Sequence, residues 1–168
     1  MNSEILCASV LEKIHEQIDR TVHLIELIPA DGLQWAPPSV GSWRVELLLG
    51  HLLECLAGFC AVLAAAEPER LAHFAGLRTL PVNHACAPAD AIVRIVRYRD
   101  HIDEGFTLLT DAALGTVIPT VFVKRGEPLL TLLLGNLEHL LNHKHQLFTY
   151  LKEMGVAVGT RDLYRFRS

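Results

Sequence analysis

The sequence contains no C-x-x-C pair, no excess of basic charge and no apolar run long enough to cross a bilayer without interruption. Each absence removes a class of function. The four cysteines, Cys7, Cys55, Cys60 and Cys86, build neither a zinc-finger pattern nor a disulfide framework. With no charged-then-apolar leader at "MNSEILCASVLEK", they read as free thiols in a reducing cytoplasm. A net charge of −4 and a pI of about 6.1 give no electrostatic reason to bind nucleic acid. The mean hydropathy of +0.29 raises a membrane alternative. Its best candidate, "LLLGHLLECLAGFCAVLAAA" at 47–66, is broken by His51 and Glu54. What remains, Cys55–Ala66, falls short of the roughly 20 apolar residues a span needs. A helix apolar almost all round is expected instead to be the buried member of a bundle, with no membrane partner. A G-x-S-x-G elbow, a Gly-rich phosphate loop and an H-E-x-x-H zinc motif are also missing. Paired E-x-x-H motifs of the di-iron kind are absent too, since "HLLE" and "HIDE" run the other way.

What is present is apolar helix. With 168 residues and 51% hydrophobic content the chain suits a single domain over 1–168 with a sizeable core. Four segments carry helical periodicity. In the first, Ser3 can cap, and Val10, Ile14, Ile18, Val22 and Ile25 recur before Pro29. The second runs from near Ser42 to about Ala66. The third has Pro88 in its first turn and a stripe of Ile92, Ile95, Ile102, Phe106 and Leu109. The fourth starts near Pro128 and stops at Gly155, with Lys152 in its last turn. The long connections 67–87 and 111–127 hold a short helical turn at "RLAHFAG" and a β-branched "TVIPTVFV", which Pro119 demotes to an edge strand. The pattern predicts an all-α four-helix bundle with long crossover connections.

Bundles build metal and cofactor sites between facing helices, and this chain has unusual histidines in its apolar helices. His139 and His143 are four apart, on one face and about 6 Å apart along the axis. By themselves they are better read as a partly exposed pair. His145 lies roughly 200° round the helix from His143 and is assigned to the surface. His51, which interrupts the most apolar segment, would by itself be a satisfied core histidine. Taken together the oddities explain each other. Three neutral imidazoles plus an open position form a known site for zinc, nickel, iron or another late divalent ion. Cys55, at i+4 from His51, is a small core residue or a fourth ligand.

His51 followed by "HLLNHKHQL", with His139, His143, Lys144, Gln146 and Leu147, and then "TYLKEMG", resembles the DinB/YfiT-like superfamily of bacterial helix-bundle proteins. The approach to the second helix, "SWRVELLLGHLLECLAGF", is similar as well, and the likeness spans roughly residues 3–155. His145 departs from the family, where a small residue, commonly Gly, is usual. The resemblance implies a four-helix bundle in up-down-down-up order, generally a homodimer. It also implies a divalent metal, often nickel or zinc, on the three histidines. Some relatives are thiol-dependent transferases or isomerases using a low-molecular-weight thiol.

Two chemistries suit an open three-histidine site. The metal can lower the pKa of water toward about 7, or it can hold a cofactor thiol as thiolate for attack on an electrophile. A general base is harder to name. Glu54, one turn from His51, can touch the bound water, support a ligand, or sit at the surface. Asn136 and Gln146, on the His139/His143 face, can orient ligands or substrate, or merely satisfy neighbours. Tyr98 and His101 are cavity-wall candidates for which core or surface placement is preferred. Gly58 and Gly135 leave substrate room or allow close packing. Arg94, Arg97 and Arg99 read as a solvated face. The tail "TRDLYRFRS", with Arg161, Tyr164, Arg165, Phe166 and Arg167, reads as packing onto the bundle or a dimer partner, or as recognition of an anionic cofactor. The expected function is a cytoplasmic, divalent-metal-dependent transferase or hydrolase with a small-molecule substrate. The alternative is a non-catalytic helical dimer with a stress or interaction role.

Overall fold

The computed structural model describes residues 4–120 and 123–165, and these are mostly helical. Its long helices are α1 (Ile5–Glu26), α2 (Val45–Ala66), α3 (Pro88–Phe106) and α4 (Leu129–Glu153), followed by a single turn, α5 (Thr160–Leu163). The expected cap Ser3, Val121 and Phe122 of "TVIPTVFV", and Phe166 and Arg167 of the tail lie outside the described residues.

The helix stripes behave as their spacing predicts. Ile14, Ile18 and Ile25 of α1 are buried, as are Ile95, Ile102 and Phe106 of α3. α2 is the core helix: Leu48, Leu49, Leu52, Leu53, Leu56, Phe59 and Leu63 are all inaccessible. By length and composition α2 could cross a membrane, but most of its apolar window is covered by the other helices. That burial accounts for its hydropathy.

Four boundaries differ from the sequence reading. α2 starts at Val45 rather than near Ser42, because Arg44 is extended (φ −68°, ψ 154°) and the Val45 amide donates to Trp35 O. Ser42 instead bonds Ser39 through their hydroxyls. α1 stops at Glu26, three residues before Pro29, and Leu109 lies beyond α3 although it is buried. The turn expected at "RLAHFAG" is a 3-10 segment, Ala72–Thr79. Among the described residues only β1 (Val117–Ile118) and β2 (Glu127–Pro128) pair, antiparallel, and Pro119 follows at once.

α3 and α4 each pack against both α1 and α2. Side-chain pairs give the directions. His15 meets Asp103 and Arg99 meets Asp19, so α1 and α3 are antiparallel. Cys86 N donates to Glu46 O, the Cys60 thiol meets Tyr98 O, and Leu63 faces Gly105, so α2 and α3 are parallel. His51 faces His139 and His143 while Gly58 faces Asn136, so α2 and α4 are antiparallel. The directions therefore run up, down, down, up, and such an order needs crossover connections longer than hairpin turns.

The tail packs onto the bundle. Buried Lys144 donates to Gln17 Oε1 (2.6 Å) and Leu163 O (2.9 Å), and burial pushes its pKa down to about 8. His23 bonds Asp162 at 2.7 Å, and Arg165 meets Asp19 and Glu16. The described part of the tail, 160–165, thus packs onto the bundle. Lys144→Ala leaves a hole and strands the Leu163 carbonyl, which should cost about 2–4 kcal/mol in urea unfolding. Faster amide exchange at 160–165 should accompany it, and an unchanged tail would contradict the anchoring role.

Candidate metal centre

His51 lies at the second turn of α2, and His139 and His143 occupy successive turns of antiparallel α4. Helix geometry alone aligns the α4 pair. Packing of α2 on α4 brings His51 to them, with Gly58 and Asn136 forming the close contact. A Cβ on Gly58 would lie 2.3 Å from Asn136 Oδ1. The result is His51 Nε2 at 3.1 Å from His139 Nε2 and 3.0 Å from His143 Nε2. Three nitrogens held about 2.0–2.1 Å from one ion at tetrahedral angles stand about 3.3 Å apart. The triad is therefore near ligand spacing, and it is the group among the described residues that can hold a metal.

The far ring nitrogens decide which tautomers are present. His51 Nδ1 faces Asn83 Oδ1 at 2.7 Å and Glu54 Oε2 at 3.0 Å. A carboxylate only accepts, so the proton sits on Nδ1 and Nε2 is bare. His143 Nδ1 donates to Gln146 Oε1 at 2.9 Å, and Gln146 Nε2 in turn donates to the Tyr150 hydroxyl at 2.8 Å. The His143 Nε2 is bare as well. With these acceptors the two nitrogens that face each other across 3.0 Å are both bare, a spacing compatible with a shared cation. A proton is a poor substitute. Burial, then the neighbouring His51, holds His139 below the usual imidazole range, and burial does the same for His143 against the bond from Gln146.

Trp43 covers the cluster, edge-on to His51 (centroids 4.7 Å apart) and stacked on His143 (5.9 Å, 17°). A cavity of about 330 Å³ beside it is lined by Ser42, Trp43, His143, Gln146 and Tyr150 among others. A larger one of about 450 Å³ lies beyond Glu54, between α2 and the 72–79 segment, and is mainly apolar.

The other site candidates fall into place. Glu54 meets the His51 nitrogen that points away from the triad, so its position is that of a ligand support. Gln146 has the same position at His143. Asn136 does not bond a histidine: its amide donates to Leu132 O and its oxygen fills the space at Gly58. Gly58 is a close-packing glycine, whereas a Cβ on Gly135 would meet open space. Cys55 is buried, bonds His51 O, and burial pushes its thiol up to about 12, the behaviour of a core residue. Tyr98 is wholly buried, and His101 bonds Arg97 O, so neither joins the triad. His145 is exposed and stacks on Phe148. Sequence reasoning missed Trp43, Asn83 and Tyr150. Asn83 sits in an aperiodic loop, where only its left-handed backbone (φ 55°) marks it as special.

The same arrangement of elements is found in a solved structure, that of a DinB-like protein, YjoA, from Bacillus subtilis. The two chains share 21% identity with a TM-score of 0.69, over 94% of this chain and 99% of that one. The chain has the DinB-like fold. No family model matches the sequence, and no curated protein matches it. Within this DinB-like fold the support for His51 comes from a loop clamped to α2: Asn83 N donates to Gly50 O, and a Cβ on Gly50 would lie 2.0 Å from His84 O.

Two outcomes follow. Gly50→Ala must push the loop outward, and Asn83→Ala deletes the acceptor; each should weaken zinc binding by about 10–100-fold, as loss of ligand support does. Competition with a chromophoric chelator measures this, and wild-type affinity in both would refute the clamp. Because metal and proton compete for the same nitrogens, affinity should fall as pH drops below 6.5, the ordinary imidazole value. Above about pH 7 His139 and His143, both held below the ordinary imidazole range, are already neutral, so affinity in the same titration should level off.

Proposed function

We propose that the chain binds one divalent ion through Nε2 of His51, His139 and His143 and acts as a metal-dependent enzyme on a small-molecule substrate, of thiol-dependent transferase or hydrolase type. The facing bare lone pairs of His51 and His143 carry this reading, because each is produced by a specific acceptor at the far nitrogen. Three neutral imidazoles with no thiolate suit zinc or nickel. Structural zinc sites are normally closed by four protein ligands, so a set of three argues for an open position. When bound, the ion supplies Lewis acidity there, polarising an oxygen or sulfur of the reactant.

The protein's own contribution is orientation and exclusion of water. Asn83 and Glu54 hold the proton on His51 Nδ1, and Gln146 holds that on His143 Nδ1. Glu54 is thereby committed to orientation rather than to proton abstraction from a reactant. Trp43 shields two ligand rings from bulk water. The 330 Å³ cavity places Ser42 and Tyr150 beside His143, where they can hydrogen-bond a substrate.

Elemental analysis of the purified protein tests the assignment. About one metal per chain, lost in His51→Ala and His143→Ala but kept in exposed His145→Ala, is the expected result. Equal metal in all four proteins would sink it. X-ray absorption on the loaded protein then tests the enzymatic part. Three imidazoles plus an exchangeable light ligand support it, and a fourth protein ligand would make the ion structural.

A further inference from the structure

The two sides of α2 differ in bulk. The side turned to the core carries Leu52, Leu56, Phe59 and Leu63, all but inaccessible. Ala57, Ala61 and Ala64, on one face by helical spacing, line the larger cavity instead. Across that cavity Leu71, Phe74 and Leu77 recur every third residue, the repeat at which side chains of a 3-10 segment stand one above another. Small residues facing a row of large ones leave about 450 Å³ between them. That volume falls in the roughly 300–1,000 Å³ range of small-molecule sites. The outer wall is tied down: His73 meets Glu104 of α3 at 3.0 Å, and Phe74 packs edge-on to His101 with centroids 5.0 Å apart.

The polar groups of the lining narrow the choice of ligand. The Cys60 thiol meets Tyr98 O, and burial pushes it up to about 12, so it stays neutral. Glu54 is engaged, with Oε2 3.0 Å from His51 Nδ1. Arg78 is exposed, and no ion pair among the described residues uses its charge. An apolar interior with one uncommitted cation in its lining suits an amphiphile whose head is an anion.

We propose that this cavity binds an aliphatic carboxylate, its hydrocarbon chain lying between the α2 alanines and the Phe74/Leu77 wall and its head at Arg78. Glu54, the acidic residue of the lining, opposes the head but is already held by the His51 N–H. No histidine of the triad lines the cavity, so the site stands apart from the metal reading.

Calorimetric titration of the full-length protein with octanoate, decanoate and decanol, below micelle-forming concentrations, tests the proposal. Saturable binding with a negative heat-capacity change is expected, as burial of a hydrocarbon chain requires. Decanoate should bind about ten-fold more tightly than octanoate, since each buried methylene contributes about four-fold. Ala61→Leu, at an exposed position of α2, should fill the cavity and weaken decanoate at least ten-fold without lowering Tm. Arg78→Gln should weaken decanoate about three- to five-fold and leave decanol unchanged, the scale of an exposed ion pair. Binding should be equal with and without a chelator, which separates the cavity from coordination of the carboxylate at the triad. Absence of saturable binding, equal affinity for octanoate and decanoate, indifference to Ala61→Leu or to Arg78→Gln, or loss of binding in chelator would overturn the site.

Discussion

The hydrogen bond from His51 Nδ1 to Asn83, backed by Glu54, makes the rest of the candidate site chemically meaningful. It fixes the proton on the outer nitrogen and turns a bare Nε2 toward α4. The Gln146 bond does the same for His143 from the other side. Without these acceptors the rings could share protons among themselves as an ordinary hydrogen-bonded cluster. With them, two bare nitrogens face each other, an arrangement compatible with a divalent ion. The loop 81–86 is therefore part of the site although it supplies no ligand.

The bundle holds this arrangement with small residues at the critical contacts. Gly50 admits the backbone of His84, so that Asn83 reaches His51, and Gly58 admits Asn136, so that α2 and α4 approach closely. Lys144 and Gln146, flanking the same turn of α4, divide its labour. Lys144 points to α1 and holds the C-terminal turn, while Gln146 serves the triad. A single helix thus joins the anchoring of the tail to the orientation of the histidines.

Much of this was legible beforehand. The Ile14, Ile18 and Ile25 stripe, the leucines of α2 and the Gly155 stop (φ +82°) all obey local rules, so the helices could be located to within a few residues. The His139/His143 pair followed from a period of 3.6, and the odd placement of His51 in a leucine-rich helix named its partner. The start of α2 was placed too early, since the extended backbone at Arg44 depends on a bond to Trp35 that no local pattern encodes. Asn136 looked like a ligand support because it shares the histidines' face; its amide instead fills the gap opposite Gly58.

What the sequence by itself determined is everything governed by periodicity: four apolar helices, the histidine pair on one face of α4 and a titratable group in the core helix. Only the tertiary structure decided the contacts between elements far apart in the chain. It brought His51 within 3.1 Å of the α4 pair, set Asn83 on its outer nitrogen and laid Trp43 over the rings. The physical reason is that helical spacing constrains neighbours three and four residues apart, whereas loop conformation and interhelical approach depend on the packing of the whole core.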